Sequence, residues 1–196
     1  MQEDANSHID IGFELVDRGE YALALVEFNK VLACDSDNPS ILLNRCVCYA
    51  KMGEHTKALR DADRCLALDP NDCAARGNRA NVLAEMGHID EALQEYTTTI
   101  DIFPRYAPAF IGRGSVYGRM GRFGLALADF DHATNLSPIL PDAFLAQSDM
   151  LKKLGYMDEA IIARKKALDI INDDSELQDF HKIEDLGTLN RVQKKD

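Results

Sequence analysis

The stretch FIGRGSVYGRMGRFGLALADFDHATNLSP, residues 110–138, decides how the chain is read. Its Gly121 stands 34 residues after Gly87 and 34 before Gly155, and the same step leads back to Gly53 and Gly19. A constant step of that length marks tandem repeats, so the chain is aligned in columns before it is read along the line. With the glycine at position 15, the repeats are residues 5–38, 39–72, 73–106, 107–140 and 141–174.

Each glycine follows a helix former or a charged residue (Arg18, Met52, Met86, Met120, Leu154) and supplies a helix-ending residue without a Cβ to clash. Five residues on comes an alanine every time, Ala24, Ala58, Ala92, Ala126 and Ala160, followed by Leu25, Leu59, Leu93, Leu127 or Ile161. A fixed small residue beside a fixed large one lets two helices approach at one point and interlock at the next. The prolines, Pro39, Pro70, Pro104, Pro108, Pro138 and Pro141, fall at repeat junctions, where they end one helix or open the next. Each repeat therefore predicts a helix of about a dozen residues, a turn at the glycine, and a second helix of similar length.

Within the opening stretch, Phe110, Gly114, Tyr117, Ala126, Phe130 and Pro138 follow the order aromatic, small, Tyr, Ala, Phe, Pro. In this the chain resembles the tetratricopeptide repeat family, over all five repeats. The resemblance implies an all-α, right-handed α-α superhelix of about 11 antiparallel helices. The expected layout is a single domain over 1–187, with a capping helix at 175–187 and a polar tail at 188–196. Ser7 and Asp10 are spaced as a capping box and place the first helix start near His8, leaving 1–6 outside it. Ser175 and Gln178 repeat that spacing, and Leu177, Phe180, Ile183 and Leu186 then recur at helical intervals up to Gly187. Gly187 comes two residues too early for a sixth repeat.

With 46% apolar and 28% charged residues, the composition suits a soluble folded protein. No apolar run approaches the ~20 residues of a membrane helix, and the start MQEDANSHID has neither the basic nor the apolar part of a signal peptide. Five cysteines, Cys34, Cys46, Cys48, Cys65 and Cys73, read as reduced thiols of a cytosolic or nuclear protein, with Cys46 and Cys65 in small buried columns, and a cytoplasmic location is expected. Cys46-Val47-Cys48 is not a metal-binding spacing, and no histidine lies near it in sequence. The net charge of −11 is concentrated at the ends: residues 1–38 hold nine acids and two bases, and 173–196 hold seven acids and four bases. An acidic chain without a basic stripe repels phosphate backbones, so neither nucleic acid nor membrane is an expected partner.

The family resemblance implies that the first helices line a concave face through positions 2, 5, 6, 9, 12 and 13. Helical periodicity independently gathers 2, 5, 9 and 12 on one side. Ile9, Phe13, Leu43 and Val47 then form an apolar strip, and Ile111 and Ser115 continue the same columns into the fourth repeat. Asn44 and Asn78 stand at position 6, with Asn81 beside them. Each carries both donor and acceptor and suits the backbone of an extended peptide, although asparagine is also tolerated on any solvated helix face. Gly112 and Gly118 either open the groove to a ligand or serve packing, while Gly114 allows close helix approach. Gly112, Gly114 and Gly118 do not form a dinucleotide motif, because no strand precedes them. Arg45, Arg79 and Arg113 at position 7 answer acids at position 23, Glu27, Asp61, Glu95 and Asp129, and read as structural pairs between helices.

Family members that serve as chaperone cofactors hold a C-terminal carboxylate with Lys, Asn, Asn, Lys and Arg across three repeats. The first three repeats offer Ile9, Phe13, Asn44, Ala74 and Asn78 instead, and the two later frames fail as well. His8, His55, His88, His132 and His181 fall in different columns, and no nucleophile motif accompanies them. No catalytic, metal or cofactor site is expected. The expected function is a noncatalytic scaffold that binds a partner peptide or helix in the groove. The alternative is a self-associating adaptor or assembly subunit, a homodimer pairing through the same apolar strip.

Overall fold

A computed structural model of the chain describes residues 2–173, and its regular elements are all helical. They are α1 (Gln2–Asp17), α2 (Tyr21–Cys34), α3 (Pro39–Lys51), α4 (His55–Leu68), α5 (Cys73–Glu85), α6 (Ile89–Ile102), α7 (Ala107–Arg119), α8 (Phe123–Leu136), α9 (Pro141–Leu154) and α10 (residues 157–173). Odd-numbered helices are the first of each repeat and even-numbered ones the second.

The glycine column ends every first helix by one device. At Gly87 φ is 86°, and the other four glycines adopt the same left-handed conformation. The turn lets the amide of the next residue reach back five positions: Glu20 to Leu15, Glu54 to Tyr49, His88 to Leu83, Arg122 to Tyr117 and Tyr156 to Leu151, at 2.8–2.9 Å. Carbonyls that a helix end leaves without partners are satisfied in this way. At the repeat junctions the Asp72 side chain accepts from the amides of Ala74 and Ala75, and Asn38 accepts from Ile41. These bonds fix where α5 and α3 begin.

One expectation fails at the N-terminus. Helix α1 starts at Gln2 rather than near His8, so Ser7 lies inside the helix. Residues 2–6 contain neither glycine nor proline, and each further residue adds a hydrogen bond to a helix already nucleated, so a capping residue inside the run does not stop it. The expected capping helix at 175–187 and tail at 188–196 lie outside the described residues.

Contacts divide the chain into two compact units, Met1–Val116 and Tyr117–Asp196. In the first, neighbouring helices pack in sequence order, and α3 also touches α1 and α5 directly. Its core joins Ala24, Phe28, Val31 and Leu32 of α2 to Ile41, Leu42 and Cys48 of α3. A second cluster joins Ala80, Leu83 and Ala84 of α5 to Ala92 and Tyr96 of α6 and to Ala109 and Val116 of α7. The alanine column is buried in every repeat, with none of the five more than 1% exposed, as close helix approach requires. In the second unit α8 packs on α9, and the Ser148 hydroxyl of α9 donates to the Ala160 carbonyl of α10 at 2.7 Å.

Position 7 explains how successive second helices are tied together. The Arg45 guanidinium donates to both Asp61 carboxylate oxygens at 2.7 and 2.8 Å, and to the Asn29 side chain at 2.7 Å. Arg79 repeats this with Glu95 and Asp63, and Arg113 reaches Thr97 at 3.3 Å. Each of these first helices thus reaches the second helix of the repeat before, and α3 and α5 also hold that of their own repeat. Asp61 is only 2% exposed, and its hydrogen bond, more than any other influence, raises the Arg45 pKa above its ordinary value. In the fifth repeat Gln147 replaces the arginine and donates to Asp131 at 2.6 Å, while Ala163 replaces the acid. A cavity of about 290 Å³ opens there, lined by Gln147, Leu151, Glu159, Ile162, Ala163 and Lys166.

Candidate functional site

On the first helices of the N-terminal unit, a depression lies between α3 and α5. Helix α3 supplies Cys46, Val47, Ala50 and Lys51, and α5 supplies Asn78, Asn81, Val82 and Glu85, around a cavity of about 200 Å³. These residues recur at intervals of three and four along each helix, which places them on the two facing stripes. Cys46, Val47, Ala50 and Val82 make an apolar floor. Asn78, Asn81, Lys51 and Glu85 give it a polar edge with one charge of each sign.

Of the nine candidate residues, the cavity brings together Val47, Asn78 and Asn81. The others are placed differently. Ile9, Phe13 and Leu43 are half-buried and pack against the core cluster, with the Phe13 ring 5.9 Å from that of Phe28. They are the outer layer of the core more than a free strip. Asn44 donates to the Ser40 carbonyl one turn earlier at 2.8 Å. Ile111 is half-buried on α7, and the Ser115 hydroxyl donates back to the Ile111 carbonyl at 2.8 Å. Neither lines the cavity.

Tyr96 escaped the sequence reading, because it belongs to a second helix. It is fully buried, yet its hydroxyl reaches through to donate to the Asn81 carbonyl oxygen at 2.5 Å. Asn81 is thereby held in one orientation, with its carbonyl oxygen toward Tyr96. Gly112 makes room for this arrangement: a Cβ there would overlap the Tyr96 ring. Of the two readings of Gly112, the packing role is the one the structure takes, and a Cβ on Gly118 would likewise meet the Met150 sulfur at 3.3 Å. Asn78 makes no side-chain hydrogen bond among the described residues. Lys51 and Glu85 were legible in principle, since both stand at position 13 of their repeats. The His55 ring nitrogen Nδ1 lies 3.5 Å from Glu85 and can pair with it when protonated.

Three of the cysteines are inert by placement. Burial pushes the Cys46 thiol up to about 12, and Cys48 and Cys65 each up to about 11. At neutral pH they are protonated, so a thiol reagent added to the native protein is expected to label exposed Cys34 promptly and these three only on unfolding. The sign of the pH dependence follows. Below about pH 8.5 the thiols are neutral in both states, and above it the unfolded chain ionises first, so stability is expected to fall as pH rises toward 11. Urea midpoints at pH 7.5 and 10 check this. No group of three or more His, Cys, Asp or Glu able to hold a metal occurs among the described residues, and no described helix is long and apolar enough to cross a membrane.

Profiles of the tetratricopeptide repeat match residues 39–72, 62–94, 107–139 and 141–174. No curated protein sequence matches the chain. Among solved structures, TTC0263, a thermophilic TPR protein in Thermus thermophilus, is similar with a TM-score of 0.79 at 24% identity, covering 89% of this chain and 95% of that one. PilF of Pseudomonas aeruginosa gives 0.69 at 21% identity, covering 86% and 77%. MamA from Desulfovibrio magneticus RS-1 gives 0.61 at 19%, covering 87% and 96%. At these identities the likeness concerns the fold.

Proposed function

The chain belongs to the tetratricopeptide repeat family, and from that premise we propose that it is a noncatalytic protein–protein interaction scaffold that holds a partner peptide or helical segment on the first-helix face of α3 and α5. The observation that carries this reading is the α3–α5 cavity, whose lining joins apolar Val47 and Val82 to the amide side chains of Asn78 and Asn81. An apolar side chain of the partner would sit on the floor, while the asparagines bond its main chain without selecting sequence. Lys51 and Glu85 would set its direction by their opposite charges. Ile9, Phe13, Leu43, Asn44, Ile111 and Ser115 would extend the contact only at its margins. The chain is then a binding module and not an enzyme, since a shallow depression on helical faces offers no water-excluded pocket for chemistry.

The test combines Val47→Arg, which fills the cavity, with Asn78→Ala and Asn81→Ala. Proteins captured by the wild type from cells should be lost from the triple variant and retained by a control variant away from the cavity, Lys57→Ala. Equal capture by both variants would sink the groove reading. Self-association is the second reading, favoured by Leu23 and Val26, each at least 50% exposed on α2. Sedimentation velocity at two concentrations separates the two, because a chain that stays monomeric leaves only the heterologous partner.

A further inference from the structure

Three columns that carry long side chains in the second repeat carry shorter ones in the fifth. In the second repeat Arg45, Tyr49 and Asp61 stand at positions 7, 11 and 23, and the Arg45 guanidinium both bonds the Asp61 carboxylate and lies 5.8 Å from the centre of the Tyr49 ring. The fifth repeat has Gln147, Leu151 and Ala163 in those columns. Gln147 keeps the link to the preceding second helix, through Asp131, but Ala163 offers it no acid in its own repeat. The cavity of about 290 Å³ between α9 and α10 is lined by all three of these shortened side chains. Small-molecule pockets run from roughly 300 to roughly 1,000 Å³, so this one suits a single inserted side chain.

The walls say which side chain fits. Leu151, Ile162 and buried Ala163 give an apolar surface for a stem. Glu159, one turn before Ala163 on α10, has no hydrogen-bond or ion-pair partner among the described residues. The Gln147 amide nitrogen is taken by Asp131, and its carbonyl oxygen accepts no hydrogen bond among the described residues. The Lys166 ammonium also borders the cavity, but it stands 5.6 Å from the centre of the Phe144 ring, whose face attracts it. Two open acceptors, one of them charged, beside an apolar wall call for a long stem that ends in several N–H donors and a positive charge. We propose that the α9–α10 cavity is a second binding site, which takes one arginine side chain of a partner protein, with the guanidinium on Glu159 and Gln147 and the stem against Leu151, Ile162 and Ala163. The partner's arginine then supplies in trans what position 7 supplies in cis in the second and third repeats. This site shares no residue with the α3–α5 depression, so the failure of either leaves the other standing.

Titration of the full chain with N-acetylarginine N-methylamide at low ionic strength, followed by NMR, tests this. The amide signals of Leu151 and Ile162 are expected to shift and saturate. The capped citrulline has the same length without the charge, and the capped lysine has the charge without the planar fork, so each should bind at least about threefold more weakly. Glu159→Gln, at an exposed residue, should weaken the arginine probe by about threefold as well. Gln147→Arg combined with Ala163→Asp rebuilds the pair within the chain and should abolish the saturating shifts. Absence of a saturating shift in the wild type overturns the proposal, as does equal binding of the citrulline or lysine probe. Undiminished binding by Glu159→Gln overturns it too, and that variant decides even where the double one does not fold. Binding retained by the folded double variant has the same consequence. Signals of Leu151 and Ile162 that move with protein concentration in the absence of the probe overturn it in favour of a second copy as the occupant.

Discussion

Replacing Phe28 with alanine is expected to cost about 4 kcal/mol of stability, the largest effect of any single substitution considered for this chain. Phe28 is fully buried at the centre of the first core cluster. Its ring lies against Phe13 at 5.9 Å and over Gly12, where a Cβ would overlap it. Truncation loses the transfer energy of the ring and leaves a cavity that α1 and α3 cannot close without shifting. Against a domain stability of about 5–15 kcal/mol, such a loss is a large share. Urea unfolding followed by circular dichroism should show it as a lower midpoint, and Phe28→Leu should lose well under half as much. A loss below about 1 kcal/mol for the alanine variant would mean that the first repeat contributes little to the folded core. Since Phe13 leans on this ring, the substitution should also loosen the margin of the first-helix face.

Replacing Arg45 with leucine is expected to cost about 3 kcal/mol, near the low end for breaking a buried ion pair. The low end applies because the Arg45 side chain keeps 20% of its surface in water while that of Asp61 keeps 3%. What is lost is more than the attraction: Asp61 stays behind as a carboxylate without its two donors, and Asn29 loses its partner too. The double variant Arg45→Leu with Asp61→Leu removes the stranded charge and should recover at least half of the loss. If the double variant is as unstable as the sum of the two single ones, the pair is not the unit that the geometry describes. Exposed pairs such as Arg64 with Asp37 should give changes within about 1 kcal/mol by comparison, because water already solvates both partners.

Much of this molecule was legible from the order of its residues, for a reason rooted in helix geometry. A left-handed residue is needed where each first helix stops, and glycine takes that conformation without strain, so the five glycines mark the turns. A close approach needs a small residue, so the alanine column marks the crossings. The arginines at position 7 and the acids at position 23 are one repeat-internal distance apart, and pairs at such a distance meet whenever the fold repeats. Arg45 with Asp61 and Arg79 with Glu95 meet as their columns require.

The tertiary structure alone decided how a shared face is divided between core and solvent. Ile9, Phe13, Leu43 and Val47 occupy equivalent columns, yet three of them lie against the core and only Val47 lines the cavity. Periodicity fixes the direction in which a side chain leaves its helix, but its covering depends on how far the neighbouring helices reach over it. The same holds for Gly112, whose open side is filled by the Tyr96 ring of another helix, and for Asn81, whose carbonyl is claimed by the Tyr96 hydroxyl. These contacts join residues 15 or 16 apart in sequence on different helices, so no local pattern specifies them. They form only when packing brings two particular side chains together.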